Sequence, residues 1–289
     1  MTLPATPPLS DPSLPETERA DPRFHDLETR PTSALLDVLL GGHAKALASV
    51  ADALPDIERA ADAVAARLGR DRESRLVYCG AGTSGRLALQ DGVELGPTFD
   101  WPPERAVFLL AGGVTSLALA REGAEDDEAS AAAMIAEAGL CGRDVVIGVA
   151  ASGRTPFTLA CIAKARERGA LTIAFANEPS GPLLRAAEIG ILLRTGPEVL
   201  AGSTRMAAGT AQKIALNLLS TAVMIRLGKV FRGRMVEMRP TNDKLRARAE
   251  RMVADVAGCG LDRAREALDA TGGRIREAIL RAEADNVQE

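Results

Sequence analysis

Beyond residue 75 the chain alternates short apolar runs with longer stretches in which apolar residues recur at helical spacing. The runs at 76–79, 106–110, 145–150, 171–176 and 189–193 are four to six residues long and predict five strands. Strands that alternate with helices in this way predict an α/β fold, a doubly wound parallel sheet with right-handed crossovers. Ahead of the sheet, Leu35, Leu36, Leu39 and Leu40, then Ile57, Ala61, Val64, Ala65 and Leu68, predict helices over 31–53 and 55–68. A long Ala- and Leu-rich helix is expected from about 205 to 227, opening at a Ser203/Thr204 cap signal and closing at Gly228. After Pro240 a compact helical tail follows, with a helix at 261–270, a turn at Gly272-Gly273 and a helix at 275–282. Repeated prolines leave the first 30 residues or so as an irregular arm.

Composition narrows the chemistry. Of 289 residues 46% are apolar but only 3% aromatic, so the core must be built from Ala, Val, Leu and Ile. The net charge of −4 is spread along the chain, and without a basic stripe interleaved with aromatics a nucleic-acid partner is not expected. The proline-rich, acidic start lacks the basic and apolar segments of a signal peptide, and no later run reads as long enough to span a bilayer. A cytoplasmic protein with no membrane partner is the expectation. Cys79, Cys141, Cys161 and Cys259 have no paired spacing, and the two histidines, His25 and His43, are read as arm or surface residues. Zinc, disulfide frameworks and Ser-His-Asp catalysis are therefore not expected, and acid–base work falls to carboxylates.

Three junctions stand out for their composition. The first, Gly80-Ala81-Gly82-Thr83-Ser84-Gly85-Arg86, follows a strand and opens a helix, so that glycine backbone, hydroxyls and helix N-terminus can meet an anion. Its glycine order is that of neither a dinucleotide fingerprint nor a nucleotide P-loop. The second, Ala150-Ala151-Ser152-Gly153-Arg154-Thr155-Pro156, follows the third strand, and the third, Gly202-Ser203-Thr204-Arg205, opens the long helix. Each alone is what any turn and cap requires; together they point to one crevice that holds a phosphorylated sugar. Carboxylates stand nearby in sequence, with Glu94 ten residues after Ser84 and an acidic run of Glu122, Glu125, Asp126, Asp127 and Glu128 that also reads as a solvated helix start.

The string GAGTSGRL with Asp91 and Glu94, AGG at 111–113, EGAED at 122–126, AASGRTP at 150–156, GSTRM at 202–206 and AGTAQK at 208–213 resembles the N-acetylmuramic acid 6-phosphate etherases. The likeness covers roughly residues 55–245. It implies the sugar isomerase (SIS) fold, a cytoplasmic homodimer that recycles cell-wall muramic acid, and no metal or organic cofactor. The domains it implies are an arm and helix (1–54), the SIS domain (55–238) and a helical subdomain (239–289). The reaction implied is elimination of D-lactate from C3 of the open-chain sugar, followed by addition of water. Glu94 and Glu125 match the family's catalytic glutamates, with Glu94 giving a proton to the leaving lactyl oxygen and Glu125 acting as base.

The resemblance makes Thr83, Ser84, Ser152 and Thr155 phosphate contacts, with Gly82, Gly153, Ser203 and Thr204 beside them. Arg86 and Arg154 can hold the phosphate or the lactyl carboxylate, since a guanidinium grips either with two prongs. Departures from the family pattern fall at Ala20, Asp21, Gly92, Glu178 and Ala207. Gly92 is expected to cost its helix about 1 kcal/mol relative to alanine. A phosphosugar isomerase and a non-catalytic sugar-phosphate sensor of the same fold are the alternatives; only the etherase releases lactate.

Overall fold

The computed structural model describes residues 14–119, 121 and 123–286. The first 13 residues of the expected arm and Glu122 of the acidic run lie outside these. Two compact units form: Met1–Gly92 with Glu104–Ser220, and Val93–Pro103 with Thr221–Glu289.

In the first unit, α1 (Thr32–Asp52) and α2 (Leu54–Arg70) come first. Ala53 ends one and starts the other, and Pro55 occupies the first turn of α2, where its missing N–H costs nothing. The buried residues of α2, Ile57, Ala60, Ala61, Val64 and Leu68, form a single stripe toward the core. The 21 residues of α1 are long and apolar enough to cross a membrane by length and composition, which corrects the expectation that no run is. Gly42, Ala46, Ser49 and Val50 of α1 are nevertheless buried.

The sheet then alternates as predicted: β1 (Leu76–Gly80), α3 (Gly82–Val93), α4 (Leu95–Phe99), β2 (Ala106–Leu110), α5 (Glu128–Glu137), β3 (Val145–Val149), α6 (Pro156–Glu167), β4 (Leu171–Ala176), α7 (Leu183–Ala186) and β5 (Ile189–Leu192). All strands are parallel in the order β2-β1-β3-β4-β5. Every residue of β1, β3 and β4 is buried, which is why these strands read as unbroken apolar runs, whereas β2 and β5 lie at the edges and are partly exposed. Val77, Cys79, Val146 and Ala174 share one face with Phe157, Cys161 and Ile162 of α6 and Ile135 of α5. Because side chains alternate along a strand, Leu76, Tyr78, Ile147 and Ile173 face the other side.

On that second side the structure reverses the expectation for Gly92. A Cβ at this position would lie 2.5 Å from the Phe108 ring and 2.8 Å from the Tyr78 ring, so α3 reaches the sheet only because residue 92 has no side chain. Beside it Asp91 is buried, accepting hydrogen bonds from the Tyr78 hydroxyl at 3.2 Å and the Ser220 hydroxyl at 3.1 Å. Burial pushes the Asp91 carboxyl above its ordinary value of 3.8, against the opposing pull of Ser220, Tyr78 and Lys213. A carboxyl with a raised folded pKa takes up protons on folding, so stability falls as pH rises from 3.8 through the folded value. Urea midpoints measured from pH 4 to 8 should therefore fall for wild type relative to Asp91→Asn, with a gap that grows across this window and is constant above it. Parallel midpoint curves would show that Asp91 titrates alike in both states.

The helix α8 (Ala207–Arg226) ends at Gly228, where φ is +76° and the Lys229 N–H caps the Met224 carbonyl. The second unit holds α9 (Asp243–Ala257), α10 (Leu261–Ala270) and α11 (Ile275–Asn286), three helices where the sequence marks two. Met252, Val253, Leu268, Ile275 and Ile279 fill the space among them.

Candidate active site

Pairing of β1 with β3 sets Gly80 opposite Val149, so the first and second junctions leave the carboxyl ends of neighbouring strands. From β1 the chain passes to β2 on one side and later to β3 on the other, which makes this gap the switch point where open α/β sheets bind ligands. At the first junction, Gly80 and Gly85 allow strand and helix to touch: a Cβ on Gly80 would stand 2.9 Å from the Val149 carbonyl oxygen and 3.0 Å from the Gly85 Cα. Gly82 differs. Its φ is +54° and nothing lies within 4 Å of where a Cβ would be, so its backbone faces open space. Gly85 N–H already bonds the Ala81 carbonyl, while the amides of Gly82, Thr83 and Ser84 belong to a first helical turn that has no intrahelical acceptor.

A cavity of about 170 Å³ opens beside this loop, lined by Gly82, Arg86, Ser116, Arg121, Gly123 and Glu125 among others. Arg86 Nε donates to the Ser116 carbonyl at 3.2 Å and Arg121 Nη1 to the Gly112 carbonyl at 3.2 Å, so the turn after β2 fixes both guanidiniums. Among the described lining residues two cationic heads, Arg86 and Arg121, face one carboxylate, that of exposed Glu125, a balance that suits an anionic sugar. Gly112, Gly113 and Gly123 all take positive φ, so the AGG turn and the start of the acidic run need glycine for backbone reasons. Within that run Glu125 sits in a short 3-10 turn, while Asp127 accepts from the Ser130 N–H at 2.8 Å and caps α5.

At the second junction the Thr155 side chain makes no cap hydrogen bond to α6, so its hydroxyl is open to a ligand. Ser152 Oγ accepts from the Arg154 N–H at 3.1 Å. Gly153 has φ +62°, and a Cβ there would stand 2.9 Å from the Gly181 Cα; the close approach it permits is to this neighbouring loop.

The third junction differs from its sequence reading. Ser203 and Thr204 flank α8, but a carboxylate from elsewhere, buried Glu198, accepts the Ala207 and Ala208 N–H groups, each at 2.9 Å. Met206 and Gly209 amides bond the Ser203 and Thr204 carbonyls. The opening amides of α8 are thus occupied, and what this junction can offer a ligand is its hydroxyls. It lies beside the first junction, since a Cβ on Gly209 would be 3.5 Å from the Thr83 methyl group. Glu94 belongs to the second unit, exposed and directly ahead of α4.

Two SIS models match the chain, the N-terminal SIS domain of glucokinase regulatory protein over residues 58–166 and the general SIS domain over 127–222. The chain is 47% identical over 272 residues, 94% of its own length and 88% of the relative's, to the N-acetylmuramic acid 6-phosphate etherase of Deinococcus radiodurans. It is 46% identical to that of Streptomyces avermitilis, covering 91% of this chain and 84% of the relative. The chain belongs to the N-acetylmuramic acid 6-phosphate etherase family. Solved structures with the same SIS fold include a phosphosugar isomerase assigned to capsule formation in Bacteroides fragilis (TM-score 0.52, 17% identity, 70% of this chain and 95% of that one). An E. coli CFT073 protein in complex with A5P is similar to the same degree (TM-score 0.51, 15% identity, 70% and 96%).

Within this etherase-family chain, sequence reasoning missed Glu198, whose role depends on a helix end nine residues away, and Arg121, which carries no motif of its own. It also misjudged His43, which is half-buried within α1 and shares a 2.9 Å hydrogen bond with the Thr210 hydroxyl on α8. His25 does lie on the arm, exposed, its Nδ1 2.7 Å from the Pro22 carbonyl oxygen.

Proposed function

We propose that the chain cleaves the D-lactyl ether of N-acetylmuramic acid 6-phosphate, giving N-acetylglucosamine 6-phosphate and D-lactate. Family membership carries this reading, and the cavity at the β1/β3 switch point, with Arg86 and Arg121 in its lining, supports it. The open-chain aldehyde acidifies the C2 proton, which Glu125 removes. The C3–O bond then breaks, and Glu94 protonates the departing lactyl oxygen. Water adds at C3 of the unsaturated aldehyde while a proton returns to C2, so the sum is ether plus water to alcohol plus alcohol. Gly82, Thr83, Ser84, Ser152, Gly153 and Thr155 bind the phosphate, with Ser203 and Thr204 at its edge. Arg86 and Arg154 hold the phosphate or the lactyl carboxylate.

A homodimer fits α1, whose Leu36, Leu40 and Leu47 lie along one helical stripe and are 59%, 71% and 64% exposed. Work on a cell-wall sugar 6-phosphate fits a cytoplasmic recycling enzyme.

Isotope labels test the route. In H₂¹⁸O the label should enter C3 of the N-acetylglucosamine 6-phosphate and leave D-lactate unlabelled, and in D₂O deuterium should appear at C2. Label in the lactate would mean cleavage on the other side of the ether oxygen, and a folded protein releasing no D-lactate would sink the reading.

A further inference from the structure

The loop after β4 carries buried Glu178, and it is where the N-terminal arm is fastened. Glu178 is 4% exposed. Its Oε2 accepts the Glu16 N–H at 2.6 Å, and its Oε1 accepts the Ser180 N–H at 3.3 Å and the Ser180 hydroxyl at 2.8 Å. Having given its only proton to Glu178, the Ser180 oxygen can only accept, and it does so from Arg154 Nη2 at 2.8 Å. The direction of the chain is fixed: Arg154 donates to Ser180, which donates to Glu178, and each bond polarises the next.

The arm completes the arrangement. Glu16 pairs two-pronged with Arg194 beyond β5, at 2.5 and 3.0 Å, and buried Thr17 accepts the Gly202 N–H at 3.1 Å. Residues 16 and 17 thus tie together the loops after β4 and β5 and the junction before α8. Arg154 is otherwise exposed, and a long side chain held in one rotamer loses less freedom when an anion arrives.

We propose that Glu178 is a positioning residue: its buried carboxylate fastens the N-terminal arm and, through Ser180, sets the Arg154 guanidinium for the phosphate of the sugar. This rests on the assignment of Arg154 to the substrate's anions. Calorimetric titration of N-acetylglucosamine 6-phosphate into wild type, Ser180→Ala, Arg154→Ala and the double variant tests it. Ser180→Ala should weaken binding about three- to tenfold and raise KM with kcat within about twofold, the worth of one oriented hydrogen bond. The double variant should bind no more weakly than Arg154→Ala alone, since the serine acts only through the arginine. Additive losses, or an unchanged KM in Ser180→Ala, overturn the relay.

Arg154→Ala binding as tightly as wild type removes the guanidinium from the anion site and the relay with it. Fastening of the arm is read separately, by trypsin cleavage after Arg19: Glu178→Ala should speed it roughly tenfold and Ser180→Ala should not, because only the first removes the acceptor of the Glu16 N–H. Unchanged cleavage in Glu178→Ala overturns that half. Product binding does not depend on turnover, so a protein that binds but releases no D-lactate fails the etherase reading while leaving the relay standing.

Discussion

Glu94→Gln is expected to cut D-lactate release by about 10²–10⁴-fold, the usual worth of a positioned general acid, with product affinity changed less than about threefold. Glutamine has nearly the shape of glutamic acid but no proton of comparable acidity, so the lactyl oxygen would have to leave as an alkoxide. The same substitution at Glu125 should cost a similar factor for a different reason, because the C2 proton then has no base. Deuterium exchange separates the two. Glu94→Gln should still exchange the substrate's C2 proton with D₂O, while Glu125→Gln should not. A substrate analogue carrying chloride at C3 needs no protonation to leave, so it should restore turnover to Glu94→Gln and fail with Glu125→Gln. If Glu94→Gln keeps more than a tenth of wild-type activity, or if chloride rescues Glu125→Gln instead, the assigned roles are wrong.

What could be read from the sequence follows the range of each interaction. Five strands were legible because central parallel strands are buried on both faces and show as apolar runs; only their ends moved, by one residue at β1, β3 and β5. The first two junctions were legible because glycines and hydroxyls at a strand-to-helix turn are adjacent in sequence. The third misled because its local cap signal is real in composition, yet a carboxylate from another loop takes the amides. Glu178 and His43 were opaque for the same reason: their partners lie 162 and 167 residues away and leave no periodicity behind. Gly92 shows the limit of propensity, since a residue that weakens an isolated helix is what lets α3 reach the Tyr78 and Phe108 rings. The helix α9 escaped notice because its buried stripe is narrow, with Ala249, Met252, Val253 and Ala257 among charged residues.

Glu198→Ala is expected to lower the unfolding free energy by about 3 kcal/mol, the largest effect on stability among these substitutions. The carboxylate is 1% exposed and meets two amides that are themselves buried, Ala207 at 2% and Ala208 at 0%. Truncation removes two charge-assisted hydrogen bonds, leaves two N–H groups without acceptors or water, and takes a negative charge from the positive end of a 20-residue helix. Each cost alone is about 1 kcal/mol or more, and the truncated side chain also leaves a void. Glu198→Gln keeps one acceptor but turns an amide NH₂ toward the second N–H, so its loss should be about half as large. Urea titration of wild type and both variants measures this, and a loss below about 1 kcal/mol in Glu198→Ala would mean that α8 does not depend on its anionic cap. The function of the site should follow the stability. Gly209 in the first turn of α8 lies beside Thr83, whose methyl group a Cβ at residue 209 would meet at 3.5 Å, so loosening that turn should also raise KM for the sugar phosphate, and phosphate should not compete for amides that Glu198 fills in the wild-type protein.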